Sequence, residues 1–249
     1  MFICVHLWFH PLEWRSGQMN LVIQGEDVAT PDLKALARIA RGEAIEKIAD
    51  YAGRKAEVAA VTAAAMRGEI DWPESLRRRV AALEGLDEAC LGRVYAERLK
   101  LNPGAERLLA ATQRAGLKVL RVSGGFTFFT DRVRDRLSID YAYSNELVVE
   151  GGRLAGRVTG PLVDAAGKAA HVARLKRELG IGRERVIAMG DGANDLAMLA
   201  EAGTSVAYRA KPVVREKADY ALDYVGLDGV LNLFPESGSS SFPRRGSGK

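Results

Sequence analysis

Cysteine and histidine are scarce in this chain of 249 residues, which has two of the first and three of the second. Cys4 and Cys90 cannot build a disulfide framework and show no metal-ligand spacing, so a reducing, cytoplasmic setting is expected. His6 and His10 stand one helical turn apart, but Pro11 and aromatic neighbours disfavour an ordered zinc helix, and His171 is isolated. Long apolar runs are also missing. The opening MFICVHLWFHPLEWRSGQ is short, has no basic leader and is interrupted by His6, His10 and Pro11, so it reads as neither signal peptide nor membrane span. Charge of one sign does not accumulate. The net charge is only +4, and the tight basic clusters, Arg77-Arg78-Arg79 and Arg244-Arg245, carry no interleaved aromatics, so neither nucleic acid nor membrane is expected as a partner. Neither a Walker A sequence nor a strand-opened G-x-G-x-x-G occurs, which disfavours nucleotide binding. Finally, no pair of aspartates separated by one residue occurs anywhere.

What is present is ordinary globular material, 47% hydrophobic and 27% charged. Residues 1–18 read as a disordered or spurious extension, with a start at Met19 as the alternative. Asn20–Gln24 reads as a short strand, and Thr30-Pro31-Asp32 as a helix start with Thr30 as the cap; 19–42 is then an N-terminal strand–helix segment. From Ala44 to Leu99 the chain is rich in alanine and charge, lacks β-branched runs and is punctuated by Gly53, Gly68 and Gly85. This predicts about four short helices, a small cap over 43–100. Over 101–234 strands and helices alternate. A helix from Ala105 to Ala115 leads to the strand LKVLRVS, a Gly-Gly turn and a helix from Phe128 to Leu137. YAYSNELVVE and GRLAGRVTG follow as a hairpin, then a helix from Lys168 to Leu179, the strand RVIAM, a helix from Asp195 to Ala202, SVAY and YALDY. The pattern predicts an α/β fold, a doubly wound parallel sheet with the helical stretch inserted as a cap. The Ser/Gly/Pro-rich stretch 235–249 is expected to be disordered.

Ligands of such sheets bind outside the carboxyl ends of the strands, where Ser123 and Asp191 fall. In VIAMGDGANDLAML, Asp191 has glycine on both sides and can reach a hard cation; Mg²⁺ takes oxygen ligands and retains waters. Asp195, at the start of the next helix, can support that site or anchor a neighbour, and Asn194 offers an amide to a phosphate oxygen. The bland alternative is a plain turn capped by Asp195. In VSGGF a hydroxyl, bare amides and a helix start suit a phosphoryl group, although a simple strand–helix turn would look the same. Lys168 could neutralise anionic charge there, although taken alone it reads as a surface lysine.

In order, SGGF, the lysine at 168 and GDGAND resemble motifs of the haloacid dehalogenase superfamily of phosphatases. MRGEIDWPESLRRRV, LNPGAE, SGGFTFF, the YAYSNEL…GRLAGRV hairpin and AKPVVREKAD extend this, from Glu43 to Phe234, to resemble its phosphoserine phosphatase family. The resemblance implies a Rossmann-like core, Mg²⁺ as cofactor, and hydrolysis of the small molecule O-phosphoserine to serine and phosphate, the last step of serine synthesis by the phosphorylated route. By the same resemblance Glu43 takes the substrate amine, Met66 and Trp72 line the cap side, and Arg79 pairs with the substrate carboxylate. Ser123 and Gly124 hold phosphate, Lys168 is the lysine beside it, Asp191 ligates metal, and Asn194 and Asp195 support the site.

The family also carries a D-x-D-x-T motif whose first aspartate attacks phosphorus and whose second serves as acid and base. It falls nine and seven residues before the position of Glu43, where this chain has Lys34 and Leu36. A missing internal segment is the simplest account. Asp27 follows a strand-like stretch and is the substitute to consider, but Ala29 stands where the second acid would be needed. The expected outcome is a phosphoserine phosphatase homologue with its nucleophile lost. The alternative is a catalytically dead binding protein or a damaged homologue.

Overall fold

A computed structural model describes residues 2–7, 22–24 and 43–233. The helix expected from Thr30, and Asp27, Lys34, Leu36 and the tail 235–249, lie outside the described residues. The sheet is built from β1 (Phe2–Leu7), β2 (Val22–Gln24), β3 (Leu117–Phe126), β4 (Tyr141–Glu150), β5 (Arg153–Thr159), β6 (Ile187–Gly190), β7 (Thr204–Tyr208) and β8 (Tyr220–Leu222). Its order is β5-β4-β3-β1-β6-β7-β8, with β2 paired to β1. The pairs β3–β4, β6–β7 and β7–β8 are parallel, as the alternation of strands and helices predicts. β1 departs from that pattern: it runs antiparallel to both β3 and β6 and forms an antiparallel pair with β2. Phe2–Leu7 was expected to stay outside the fold. Its place reflects a demand of the sheet, because β3 and β6 both need a hydrogen-bonding partner between them.

Two hydrophobic layers cover the sheet. β3 shows the alternation most clearly: Val119 joins Leu108 and Leu109 of α5 (Ala105–Arg114) and Val133 of α6 (Thr127–Leu137) on one face. Leu120 and Val122 join Val172 and Leu175 of α7 (Ala165–Leu179) on the other. α7 starts three residues earlier than the expected Lys168, because the Asp164 side chain caps it by accepting from the Gly167 amide at 2.7 Å; it ends at Gly180, whose φ is 64°.

The cap consists of α1 (Glu43–Tyr51), α2 (Lys55–Met66), α3 (Trp72–Ala81) and α4 (Ala89–Arg98), the number of helices its alanine-rich sequence predicts. α3 has a complete start signal: Asp71 accepts from the Glu74 amide at 2.8 Å, and a proline occupies the first turn. The cap core of Ile48, Val58, Leu76, Leu83 and Leu91 is completed by Phe126, Phe129 and Leu154 from the other part of the chain. The β4–β5 hairpin ties the two together. The Leu154 carbonyl accepts from the Gly85 amide and the Leu154 amide donates to the Leu86 carbonyl, both at 2.8 Å. Among the described residues no helix is long and apolar enough to cross a membrane.

Candidate active site between cap and sheet

The loop after β6 is held together by one buried carboxylate. Asp195, fully buried, accepts from the Asp191 amide at 3.0 Å and the Gly192 amide at 3.1 Å through Oδ2. Its Oδ1 accepts from Lys168 Nζ at 2.9 Å. A Cβ at Gly190 would lie 2.7 Å from the Asp195 Cβ, so only glycine lets this carboxylate tuck under the strand end. Instead of the regular helix expected from Asp195, a 3₁₀ turn (Ala193–Asp195) leads into a single α-turn, α8 (Leu196–Leu199). The physical reason is that the Asp195 side chain reaches back to the loop and does not cap the helix ahead. Lys168 is 1% exposed and so is not a surface residue. A buried lysine–aspartate pair of this kind is tolerable only because each charge has its partner.

Asp191 differs from Asp195. It is half-buried, its carbonyl accepts from the Lys211 amide at 3.0 Å, and its carboxyl is pushed up to about 6, by burial first and by the negative charge of Asp195 second. Such a carboxylate gains from a cation. Among the described residues no group of three or more His, Cys, Asp or Glu side chains comes together, so what the described residues would offer a metal here is Asp191, beside waters and phosphate oxygens. Mg²⁺ accepts that mixture. Both Asp195 oxygens are engaged, by Lys168 and by two backbone amides.

Ser123 lies in β3 as expected, but Gly124 and Gly125 also lie in the strand, not in the turn expected after it. The strand continues to Phe126, and its pairing with β4 shifts register between Val122 and Phe126, a bulge that opens the backbone at the two glycines. Asn145 pins the bulge: its Nδ2 donates to the Gly124 carbonyl at 2.9 Å, and its Oδ1 accepts from the Val163 amide at 2.8 Å. Ser123 Oγ accepts from the Gly125 amide at 3.0 Å. A Cβ on Gly124 would meet the Trp72 ring at 3.3 Å, so the absence of a side chain lets the cap close over the sheet.

A cavity of about 370 Å³ lies between these groups. Met66, Trp72 and Arg79 line it from the cap, and Ser123, Gly124, Lys168 and Asn194 from the core. Asp191 is joined to that wall through the Asp195–Lys168 pair. The Glu43 side chain lies outside the described residues. Arg79 is 6% exposed, and its Nε donates to the Ser75 carbonyl at 3.2 Å. Burial lowers the Arg79 guanidinium from its ordinary value while Glu46 raises it, and burial in turn raises the Glu46 carboxyl. Sequence reasoning missed Glu46, Asn145 and Arg121, the last also lining the cavity. Arg121 left a signal, being a charge inside the apolar strand LKVLRVS. Asn145 left none, because its partners are backbone groups distant in sequence.

Residues 27–200 match the model of the haloacid dehalogenase-like hydrolases. The phosphoserine phosphatase of Polaromonas sp. is 53% identical over 222 residues, covering 83% of this chain and 94% of that relative. That of Albidiferax ferrireducens is 50% identical over 237 residues, covering 90% and 99%. The crystal structure of a probable phosphoserine phosphatase from Vibrio cholerae, in unliganded form, superposes with a TM-score of 0.74 at 41% identity. That match covers 86% of this chain, which spans 62% of the Vibrio cholerae chain. With its cap, its strand-end Asp191 and its Ser123–Lys168 wall, the chain belongs to the haloacid dehalogenase-like hydrolases, within their phosphoserine phosphatase family.

Proposed function

We propose that this cavity takes O-phosphoserine, and that the reaction it serves is the Mg²⁺-dependent hydrolysis to serine and phosphate that ends serine synthesis, in the cytoplasm. One observation carries the reading: a buried guanidinium on the cap and a phosphate-type wall on the core face the same small cavity. The Arg79 fork suits the substrate carboxylate. The Ser123 hydroxyl, the open backbone of the bulge, Asn194 and Lys168 suit the phosphoryl oxygens, and Trp72 and Met66 pack against the carbon between them. Glu43 is proposed for the ammonium. Mg²⁺ held by Asp191 would supply further neutralisation of phosphate charge.

The described residues bind and orient, but they do not attack. None of those lining the cavity is an aspartate or glutamate. A nucleophile must therefore come from outside them, and Asp27 is the candidate: it follows in sequence, by three residues, the end of β2 at Gln24, and β2 runs parallel to β3 and β6. A second reading, binding without turnover, is favoured by the alignments. The 222 and 237 positions matched in the Polaromonas and Albidiferax enzymes exceed the stretch of this chain they take in by about fifteen and about thirteen. That is room for a strand end and a missing motif.

Phosphate release from O-phosphoserine, measured beside calorimetric binding, decides between them. Release that stops with chelator and in Asp27→Asn supports a hydrolase using Asp27. Binding with no release at high protein concentration supports the second reading. Absence of both release and binding overturns the assignment of O-phosphoserine.

A further inference from the structure

Asn145 is 1% exposed in β4, and its side-chain amide bonds the backbone of two other segments, 21 and 18 residues away. The Gly124 carbonyl can only accept and the Val163 amide can only donate, so Nδ2 faces the first and Oδ1 the second. These bonds fall where the sheet is irregular: β3 advances four residues, from Val122 to Phe126, while β4 advances two, from Tyr143 to Asn145. The extra residues of a bulge lose their ladder partners, and the Asn145 amide supplies one. The peptide between Gly124 and Gly125 is trans, so its N–H points opposite to its C=O. With the carbonyl held by Asn145, the Gly125 N–H is directed at Ser123 Oγ, 3.0 Å away. Oγ thus accepts from the backbone, which leaves the hydroxyl hydrogen for an acceptor in the cavity that Ser123 lines. The same side chain reaches the second wall. Val163 precedes Asp164, which caps α7 through the Gly167 amide and whose carbonyl accepts from the Lys168 amide at 2.9 Å. One buried amide therefore ties the Ser123 hydroxyl to the helix turn that carries Lys168.

We propose that Asn145 is a positioning residue for phosphate: it sets the plane of the Gly124–Gly125 peptide, and through it the direction of the Ser123 hydroxyl, at a fixed span from the first turn of α7. Asn145 does not itself line the cavity, so its effect on a ligand passes through Ser123 and α7. The inference rests on reading the cavity as a phosphate site, though not on the identity of the rest of the substrate. A donor aimed in advance at a phosphate oxygen loses its worth when misdirected, and a hydrogen bond to a charged group commonly carries about tenfold or more in affinity.

The test is calorimetry with inorganic phosphate on the wild-type chain, Asn145→Asp and Asn145→Ser at pH 7.5 and 5, each variant scored against the wild type at the same pH. Asn145→Asp keeps the shape and the acceptor toward Val163, but its second oxygen donates to the Gly124 carbonyl only when protonated. Burial against a carbonyl raises that carboxyl, which brings its protonation into reach. Asn145→Asp is expected to bind phosphate at least about tenfold more weakly at pH 7.5 and to regain most of the deficit at pH 5. Asn145→Ser, too short to reach both segments, is expected to be weaker by a similar factor at both pH values. Equal affinity of Asn145→Asp and wild type at pH 7.5, or a deficit that acid leaves untouched, overturns the proposal. Should Asn145→Asp fail to melt cooperatively at pH 7.5, Asn145→Ser decides: phosphate affinity within about twofold of the wild type then overturns it. Failure of the phosphate reading looks different, because the wild type itself would bind no inorganic phosphate, and the role of Asn145 would fall with it.

Discussion

The two ends of the cavity are built on different principles. At the core end buried polar groups fix one another: Asp195 holds Lys168 and two amides, and Asn145 ties the Ser123–Gly124 bulge to Val163. At the cap end, recognition rests on side chains projecting from helices. Arg79 has one backbone anchor and a neighbouring carboxyl, and Met66 is 73% exposed at the mouth. A phosphoryl group needs donors set in advance, because its charge makes misplaced donors expensive, and a backbone bulge and a buried ion pair provide that. The organic part of a ligand needs only shape and one matching charge, which a helix can supply at less structural cost.

The comparison can be broken from the core side first. Lys168→Met leaves the Asp195 charge buried without its partner. The expected loss is about 3–5 kcal/mol of stability together with loss of phosphate binding, read by urea unfolding and calorimetry. On the cap side, Arg79→Gln should separate recognition from phosphate holding. O-phosphoserine affinity is expected to fall about ten- to hundredfold while inorganic phosphate affinity stays within about twofold. Equal losses for both ligands would show that the two ends are not independent.

A third measurement sharpens the contrast through pH. The Asp191 carboxyl is raised to about 6, so it is mostly ionised at pH 7.5 and protonated below 6. A cation competes with that proton, so Mg²⁺ affinity is expected to weaken as the pH falls through 6, by about tenfold per unit well below it. Calorimetric titration with Mg²⁺ at pH 5 and 7.5 checks the sign; stronger binding at pH 5 would remove Asp191 as the ligand. The smallest effect belongs to the seam between the ends. Gly124→Ala puts a methyl 3.3 Å from the Trp72 ring. An expected cost of about 1 kcal/mol and a few-fold weaker O-phosphoserine binding would report that the cap closes directly on the bulge.

Much of the site was legible in the sequence because it consists of local turns. GDGAND and SGGF mark strand ends by composition alone, and the cap helices announce themselves by alanine, charge and glycine punctuation. Three features were not legible. Lys168 has the sequence context of a surface lysine, and only the meeting of α7 with the loop after β6 buries it beside Asp195. The two glycines after Ser123 look like a turn, and it takes pairing with β4 to make them a bulge. Nothing in FICVHL announces a central strand running against its neighbours.

The sequence by itself determined the α/β alternation, the inserted helices and the residue types able to hold phosphate and a hard cation, because those follow from periodicity and short-range turn chemistry. It also contains no two aspartates separated by one residue. Tertiary structure alone decided which charges are buried together and which strand fills the space between β3 and β6. Each of these depends on contacts between segments far apart in the chain, where burial and pairing set the energy and local sequence does not.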